Sequence, residues 1–155
     1  MSVLLSELLK NKINPLIHGV LFSLIVDSTK IKRISILVEI VHQLKPNLCS
    51  GCNDQYNLEE RTFISRKTND YYLEVHHNIS LANGNELDDV NNMVKLCPVC
   101  HACLKRNRGL KEVQKNIIKS ILRNNIDTLQ YSARFFDLPL SNTEQIVDEI
   151  YNHLA

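Results

Sequence analysis

The chain has 155 residues, 44% of them hydrophobic and 23% charged, which is enough apolar material for one compact core and excludes a disordered protein. Eighteen Lys and Arg against seventeen Asp and Glu leave a formal charge of +1, excluding a uniformly basic coat that binds nucleic acid without selectivity. Five cysteines, an odd number, exclude complete disulfide pairing, and four glycines with four prolines exclude collagen-like or low-complexity architecture.

The opening MSVLLSELLKNK places Glu7 inside its short apolar stretch and has no small-residue cleavage site, so it does not read as a secretory signal. The longest apolar stretch, from Ile13 to Val26, is too short for a membrane span and carries His18 and Ser23. A cytoplasmic location is therefore expected, with no membrane partner, and in that reducing compartment clustered cysteines serve as metal ligands or catalytic groups. Residues 1–47 read as an N-terminal helical region. Ser28 or Thr29 is the expected N-cap of a helix that sets Ile31, Ile34, Leu37, Val38, Val41 and Leu44 on one stripe and stops before Pro46. That stripe suits core packing, with a dimer interface as the competing use.

Residues 48–108 differ in character, gathering cysteines, histidines and asparagines. Tyr71 to Val75 predict a strand, and 81–90, with Asn83-Gly84, predict a loop. Residues 109–155 turn helical again, with helices predicted near 111–124, 126–137 and 142–154, divided by asparagines and Pro139. The stretch 132–146 has a helix-turn-helix flavour. Its second helix would carry Glu144, Asp148 and Glu149, so packing onto the rest of the protein is expected there, rather than reading of a DNA groove.

Charge is unevenly placed. Between 48 and 90 eight acidic residues face three basic ones, whereas 104–123 holds Lys105, Arg106, Arg108, Lys111, Lys115, Lys119 and Arg123 against Glu112 alone. Lys111, Lys115 and Lys119 recur every four residues and predict a ridge on one helix face, either solvated or phosphate-contacting.

Cys49-Ser-Gly-Cys52 and Cys97-Pro-Val-Cys100 are two CxxC knuckles. A two-residue gap lets both thiolates of a knuckle address one ion, and two knuckles complete the tetrahedron that Zn²⁺ prefers. The long interval between them requires an inserted element. Cys103 is left over and is expected to be a small buried side chain. Cys97-Pro-Val-Cys100-His101 also matches a covalent haem attachment pattern, a reading disfavoured because it leaves the first knuckle unexplained. Between the knuckles stand His76 and His77, and directly after the second comes His101. His18, His42 and His153 sit alone in helical contexts and read as surface or core residues. Adjacent histidines on a strand point to opposite faces, but at a strand end or bulge both reach one site.

The run Leu73-Glu-Val-His-His-Asn-Ile-Ser-Leu-Ala-Asn-Gly84, followed by Asp88-Asp-Val-Asn-Asn-Met-Val-Lys-Leu-Cys-Pro-Val-Cys-His101, resembles the HNH endonucleases of the ββα-metal fold, and most of all their zinc-containing, McrA-like and restriction-enzyme members. The resemblance implies an α+β, mostly helical fold: a central ββα-metal core over 48–108 with a four-cysteine zinc site, flanked by the two helical regions as one compact unit. It implies a metal-dependent DNA endonuclease of restriction or defence type, acting on double-stranded DNA as a homodimer or with a partner subunit. A homing or phage nuclease, and a non-catalytic zinc-stabilised DNA- or protein-binding module, are the alternatives. Carried over by position, it makes His77 the general base and Asn92 the asparagine that braces the loop and orients that base, with Asn91 the alternative by register. His76 and His101 become ligands of a catalytic Mg²⁺ or Mn²⁺, with Ni²⁺ or Co²⁺ also admitted by two imidazoles. Cys49, Cys52, Cys97 and Cys100 become structural zinc ligands, and Lys105, Arg106, Arg108, Lys111, Lys115 and Lys119 the expected DNA contacts. Ser80, Asn85 and Lys105 depart from the family pattern, the last removing a second ligand from the helix that bears His101.

Overall fold

A computed structural model of the chain describes residues 35–84, 87–105 and 108–154; the stretch 1–34 with most of the predicted N-terminal helical region, Asn85 and Arg106 lie outside the described residues. Helix α1, Ser35–Leu44, ends directly before Lys45-Pro46, since the residue preceding a proline is driven out of the helical region. Val41 is fully buried, while Leu44, the last position of the predicted stripe, is 42% exposed.

Two short strands follow, β1 at Glu74–His77 and β2 at Met93–Leu96, paired antiparallel. Helix α2, Pro98–Leu104, then starts directly on the second knuckle, and α3 (Lys111–Asn124), α4 (Ile126–Phe135) and α5 (Thr143–Asn152) complete the described fold. The three C-terminal helices lie close to where their apolar periodicity put them. The strand begins later than its β-rich stretch suggested, because Tyr71 instead bridges Ile64 in a separate hairpin. The predicted loop 81–90 opens on a 3₁₀ turn, Leu81–Asn83, and its last residue begins another, Val90–Asn92, while Gly84 takes a φ of 156°, which only glycine tolerates readily.

The register pairs Glu74 with Leu96, Val75 with Lys95, His76 with Val94 and His77 with Met93. Residues paired across an antiparallel ladder share a face. One face therefore carries Glu74, His76, Val94 and Leu96, and the other Val75, His77, Met93 and Lys95. All four β2 residues are buried, so both faces of that strand are covered. The unit from Ser35 onward shares one core, in which the four knuckle cysteines and Leu96 join Ile118, Ile121 and Leu122 of α3 and Ile146, Val147 and Ile150 of α5. Gly51 shows how tightly the first knuckle nests there: a Cβ at that position would stand 2.8 Å from Ile117 Cγ2 and 3.4 Å from Cys100 Sγ.

Lys95 is 1% exposed, an unusual place for an ammonium group. Its three N–H donors find three acceptors: Nζ donates to His42 O at 2.7 Å, Lys45 O at 2.8 Å and Asn47 Oδ1 at 2.7 Å. Two of these are carbonyls at the C-terminal end of α1, which no helical N–H can satisfy. Strand β2 thus caps the end of α1 through Lys95. Burial pulls Lys95 below the ordinary lysine range. Replacing Lys95 by Met keeps the alkyl stem and orphans those acceptors, so a loss of about 2–4 kcal/mol is expected in urea unfolding. A variant as stable as the parent would show that the clamp contributes nothing.

Candidate functional site

The two knuckles converge. Among the described residues, Cys49, Cys52, Cys97 and Cys100 form the one group of three or more metal-ligating side chains whose ligand atoms all lie within 4.8 Å of one another, and all four are buried. Cys52 and Cys97 sulfurs stand 3.9 Å apart, close to the edge of about 3.8 Å expected of a tetrahedron with bonds of about 2.3 Å. The first knuckle is anchored to β2 by Ser50 N donating to Lys95 O at 2.9 Å. The second is also the N-cap of α2, where Cys97 Sγ accepts from Cys100 N at 3.4 Å and Pro98 opens the helix. Four thiols in one buried cage cannot all ionise unaided. Burial, followed by Cys49, pushes the Cys52 thiol up to about 12; hydrogen bonds with Cys49 and Cys97 raise Cys100, and the reciprocal bonds from Cys100 and Cys49 hold Cys97 down. A dication resolves that conflict, and the all-sulfur donor set fits Zn²⁺. The leftover Cys103 is only partly buried, because it lies on the side of α2 turned toward Gly109 and not inside the cage.

Beyond the cage, β1 presents its histidines in regular alternation, without a bulge. His76 faces α2, its ring edge-on to that of His101 with centroids 5.4 Å apart. His76 Nε2 is sealed from solvent and has no hydrogen-bond partner. Burial, with smaller contributions from His101 and His77, pushes His76 down to about 3. A neutral imidazole nitrogen, dry and unpartnered beside a second imidazole, is the donor a divalent cation requires. His101 Nδ1 is in turn gripped by the Glu74 carboxylate, which occupies the same strand face two residues before His76. Such a carboxylate fixes the tautomer of a ligating histidine and turns its other nitrogen outward.

His77 ends β1 on the opposite face, where its Nε2 lies 2.9 Å from Asp88 Oδ1; the two side chains are 12% and 14% exposed, so the pair is largely but not fully buried. Asn92 is fully buried. It donates to Ile79 O at 2.9 Å and Leu87 O at 2.8 Å and accepts from Ile79 N at 2.8 Å, tying together the two ends of the loop that leaves His77. Its backbone carbonyl accepts from Asn78 N at 2.7 Å. Asn92 thus positions its neighbours and does not itself face the histidines, while Asn91 only closes a local turn with Asp89. Asn78, next to His77, donates to Ser132 Oγ of α4 at 3.3 Å, so the C-terminal helices brace the same strand end.

Residues 60–107 match the family model described as HNH endonuclease. Over this stretch the chain is similar to the HNH endonuclease family. No curated protein and no solved structure matches the chain. The HNH match spans His76, His77, Asn92, His101 and the second knuckle, whereas the first knuckle precedes it. Among the described residues no helix is long and apolar enough to cross a membrane.

The basic residues expected to meet DNA divide. Lys105 and Arg108 are exposed beside the end of α2. The ridge on α3 is formed as predicted but turns toward α5: Lys115 Nζ lies 2.5 Å from Asp148 Oδ1, Lys119 Nζ lies 2.7 Å from Glu144 Oε2, and Lys111 and Lys115 both stand over the Tyr151 ring. Glu74 and Asp88 were not singled out from sequence. The first had a usable signal, since alternation places it on the face of His76; the second lay in a stretch read only as turn chemistry.

Changing Cys52 or Cys97 to Ser should abolish one equivalent of bound zinc and the cooperative thermal transition, measured by metal analysis and circular dichroism; a cooperatively folded, metal-free variant would refute the cage. For His76, the unfolded chain takes a proton near pH 6.5 that the folded chain refuses until about 3, so the stability of the neutral ring is complete above 6.5 and is lost as pH falls. Without added divalent cation, the parent should weaken relative to His76→Gln between about pH 7 and about pH 5.5, by up to about 1.4 kcal/mol per pH unit. Parallel profiles would contradict this.

Proposed function

We propose that the protein is a metal-dependent DNA endonuclease that hydrolyses phosphodiester bonds. The observation carrying this reading is His76: a buried, unpartnered Nε2, edge-on to a second histidine that a carboxylate already orients, within the stretch similar to the HNH endonuclease family. His76 and His101 would hold the catalytic ion, with water and substrate oxygens completing the shell. When bound, a divalent cation such as Mg²⁺ or Mn²⁺ supplies neutralisation of charge on the scissile phosphate and the leaving oxygen. His77 takes the proton of the attacking water. A neutral ring that donates Nε2–H to Asp88 carries its lone pair on Nδ1, and imidazole is the side chain suited to serve as a base at neutral pH. Asn92 keeps the strand end and the following loop in register. The zinc cage is scaffold, holding α2 against the hairpin so that His101 meets His76.

Within this class we read the protein as a restriction or defence nuclease, on the resemblance of its paired knuckles to zinc-containing restriction enzymes. One such site cuts one strand, so double-strand cleavage calls for two protomers about a two-fold axis or a partner subunit. Phosphate contact is assigned first to Lys105 and Arg108, which are exposed near the catalytic helix, with Arg106 between them in sequence and the α3 lysines secondary because their charge is shared with α5.

The test is cleavage of supercoiled plasmid with Mg²⁺ or Mn²⁺. The parent should nick or linearise it, and His77→Ala should retain zinc and fold while losing at least about a hundredfold in rate. Full activity in His77→Ala would overturn the assignment of the base, and a parent that binds DNA without cutting under either metal would overturn the enzymatic reading.

A further inference from the structure

The hairpin that precedes β1 has features that neither core packing nor the proposed chemistry uses. Tyr72 N donates to Phe63 O at 2.8 Å, Thr62 Oγ1 donates to Tyr72 O at 2.6 Å, and Ile64 bridges Tyr71. Its tip is closed by Ser65 N to Asp70 O and Asn69 N to Ser65 O, both 2.8 Å, with Asn69 at a φ of 55°. On this rigid frame the Phe63 and Tyr72 rings stack with centroids 5.0 Å apart and planes 10° from parallel. Yet Phe63 is 58% and Tyr72 37% exposed, and Ile64 beside them is 53% exposed. A cross-strand aromatic pair stabilises a hairpin, but that role does not require three large apolar side chains in water.

Charge gathers at the same place. Two of the three basic residues of 48–90, Arg66 and Lys67, fall in this hairpin, against Asp70 alone of the eight acidic ones, while Arg61 just before it caps the 3₁₀ turn Leu58–Glu60 and lies over the Tyr56 ring. Arg66 and Lys67 are exposed at the tip, while the Asp70 carboxylate is already engaged by Asn47 Nδ2 and Tyr71 N. The chain then runs straight into the catalytic strand. Tyr72 lies four residues before His76, at most about 13 Å along an extended chain, and Leu73, between Tyr72 and the start of β1, enters the core.

Resting on the nuclease reading and extending it to substrate form, we infer that this hairpin is a nucleic-acid platform: Arg66 and Lys67 hold the backbone, and the Phe63–Tyr72 stack receives an unpaired base a few nucleotides from the scissile phosphate. Exposed aromatic rings on a hairpin that also carries exposed Arg66 and Lys67 match a strand whose bases are free. A perfect duplex offers only base edges in its grooves, because its base faces are stacked on one another. The preferred substrate is therefore DNA with unpaired nucleotides next to the cut.

The experiment uses the His77→Ala protein and fluorescein-labelled oligonucleotides of one sequence as single strand, perfect duplex, and duplex with a short central unpaired run, read by anisotropy at fixed salt. The unpaired forms should bind more tightly than the perfect duplex. Phe63→Ala or Tyr72→Ala should weaken the unpaired forms roughly tenfold and leave the duplex unchanged. Tyr72→Phe, which keeps the ring, should bind normally, and Phe63→Leu, apolar without a π face, should not; this pair decides the matter even if an alanine variant folds poorly. Arg66→Gln with Lys67→Gln should weaken every form and reduce the salt slope by about two. Equal affinity for paired and unpaired DNA, or ring variants that bind like their parent, would overturn the inference and leave the nuclease reading standing. Failure to bind any of the three forms would overturn both.

Discussion

Four cysteine sulfurs drawn within 4.8 Å of one another in a buried cage are the constraint on which the rest of this domain depends. Each strand of its sheet is four residues long, and an isolated pair of that length has no independent stability in water. The cage supplies what the ladder lacks. One knuckle hangs on β2 through Ser50 and Lys95, and the other caps α2, so a single ion would lock strand, helix and the segment before the hairpin into one geometry. The cysteines belong to the same core as the isoleucines of α3 and α5, so the cysteine cage and the helical packing share one buried cluster.

On that scaffold the histidines are separated by strand alternation into different environments. His76 is dry and unpartnered beside His101, and the Glu74 carboxylate orients His101. His77, one residue on, turns to the other face and to Asp88. Desolvation keeps His76 neutral, whereas a carboxylate partner organises each of the other two. The same residue type thereby acquires two proposed roles, ligand and base, through its surroundings.

Charge follows a similar logic. A near-neutral total does not mean a uniform surface, and local excess in sequence does not mean free charge in space. The lysines of α3 meet Asp148 and Glu144 from α5, while exposed Lys105 and Arg108 near α2, and Arg66 and Lys67 on the hairpin, are left to face solvent. Exposed pairs such as Lys119 with Glu144 are weak, so they redistribute potential more than they stabilise.

Much of the fold was legible because its signals are local. Apolar periodicity placed α3, α4 and α5, Pro46 ended α1, and the two CxxC spacings named all four cage cysteines. The order of His76, His77, Asn92 and His101 likewise carried the resemblance to the HNH family, whose model matches residues 60–107. What the chain could not reveal residue by residue were the partnerships formed across distance: Lys95 with the end of α1, Asp88 with His77, Ser132 with Asn78, and the α3 lysines with α5. Side-chain types and spacings determine which elements form and which ion they suit, since those depend on neighbours along the chain. Which carboxylate meets which histidine, and which lysines stay free, is decided only when distant elements pack, because burial and pairing are properties of the assembled core.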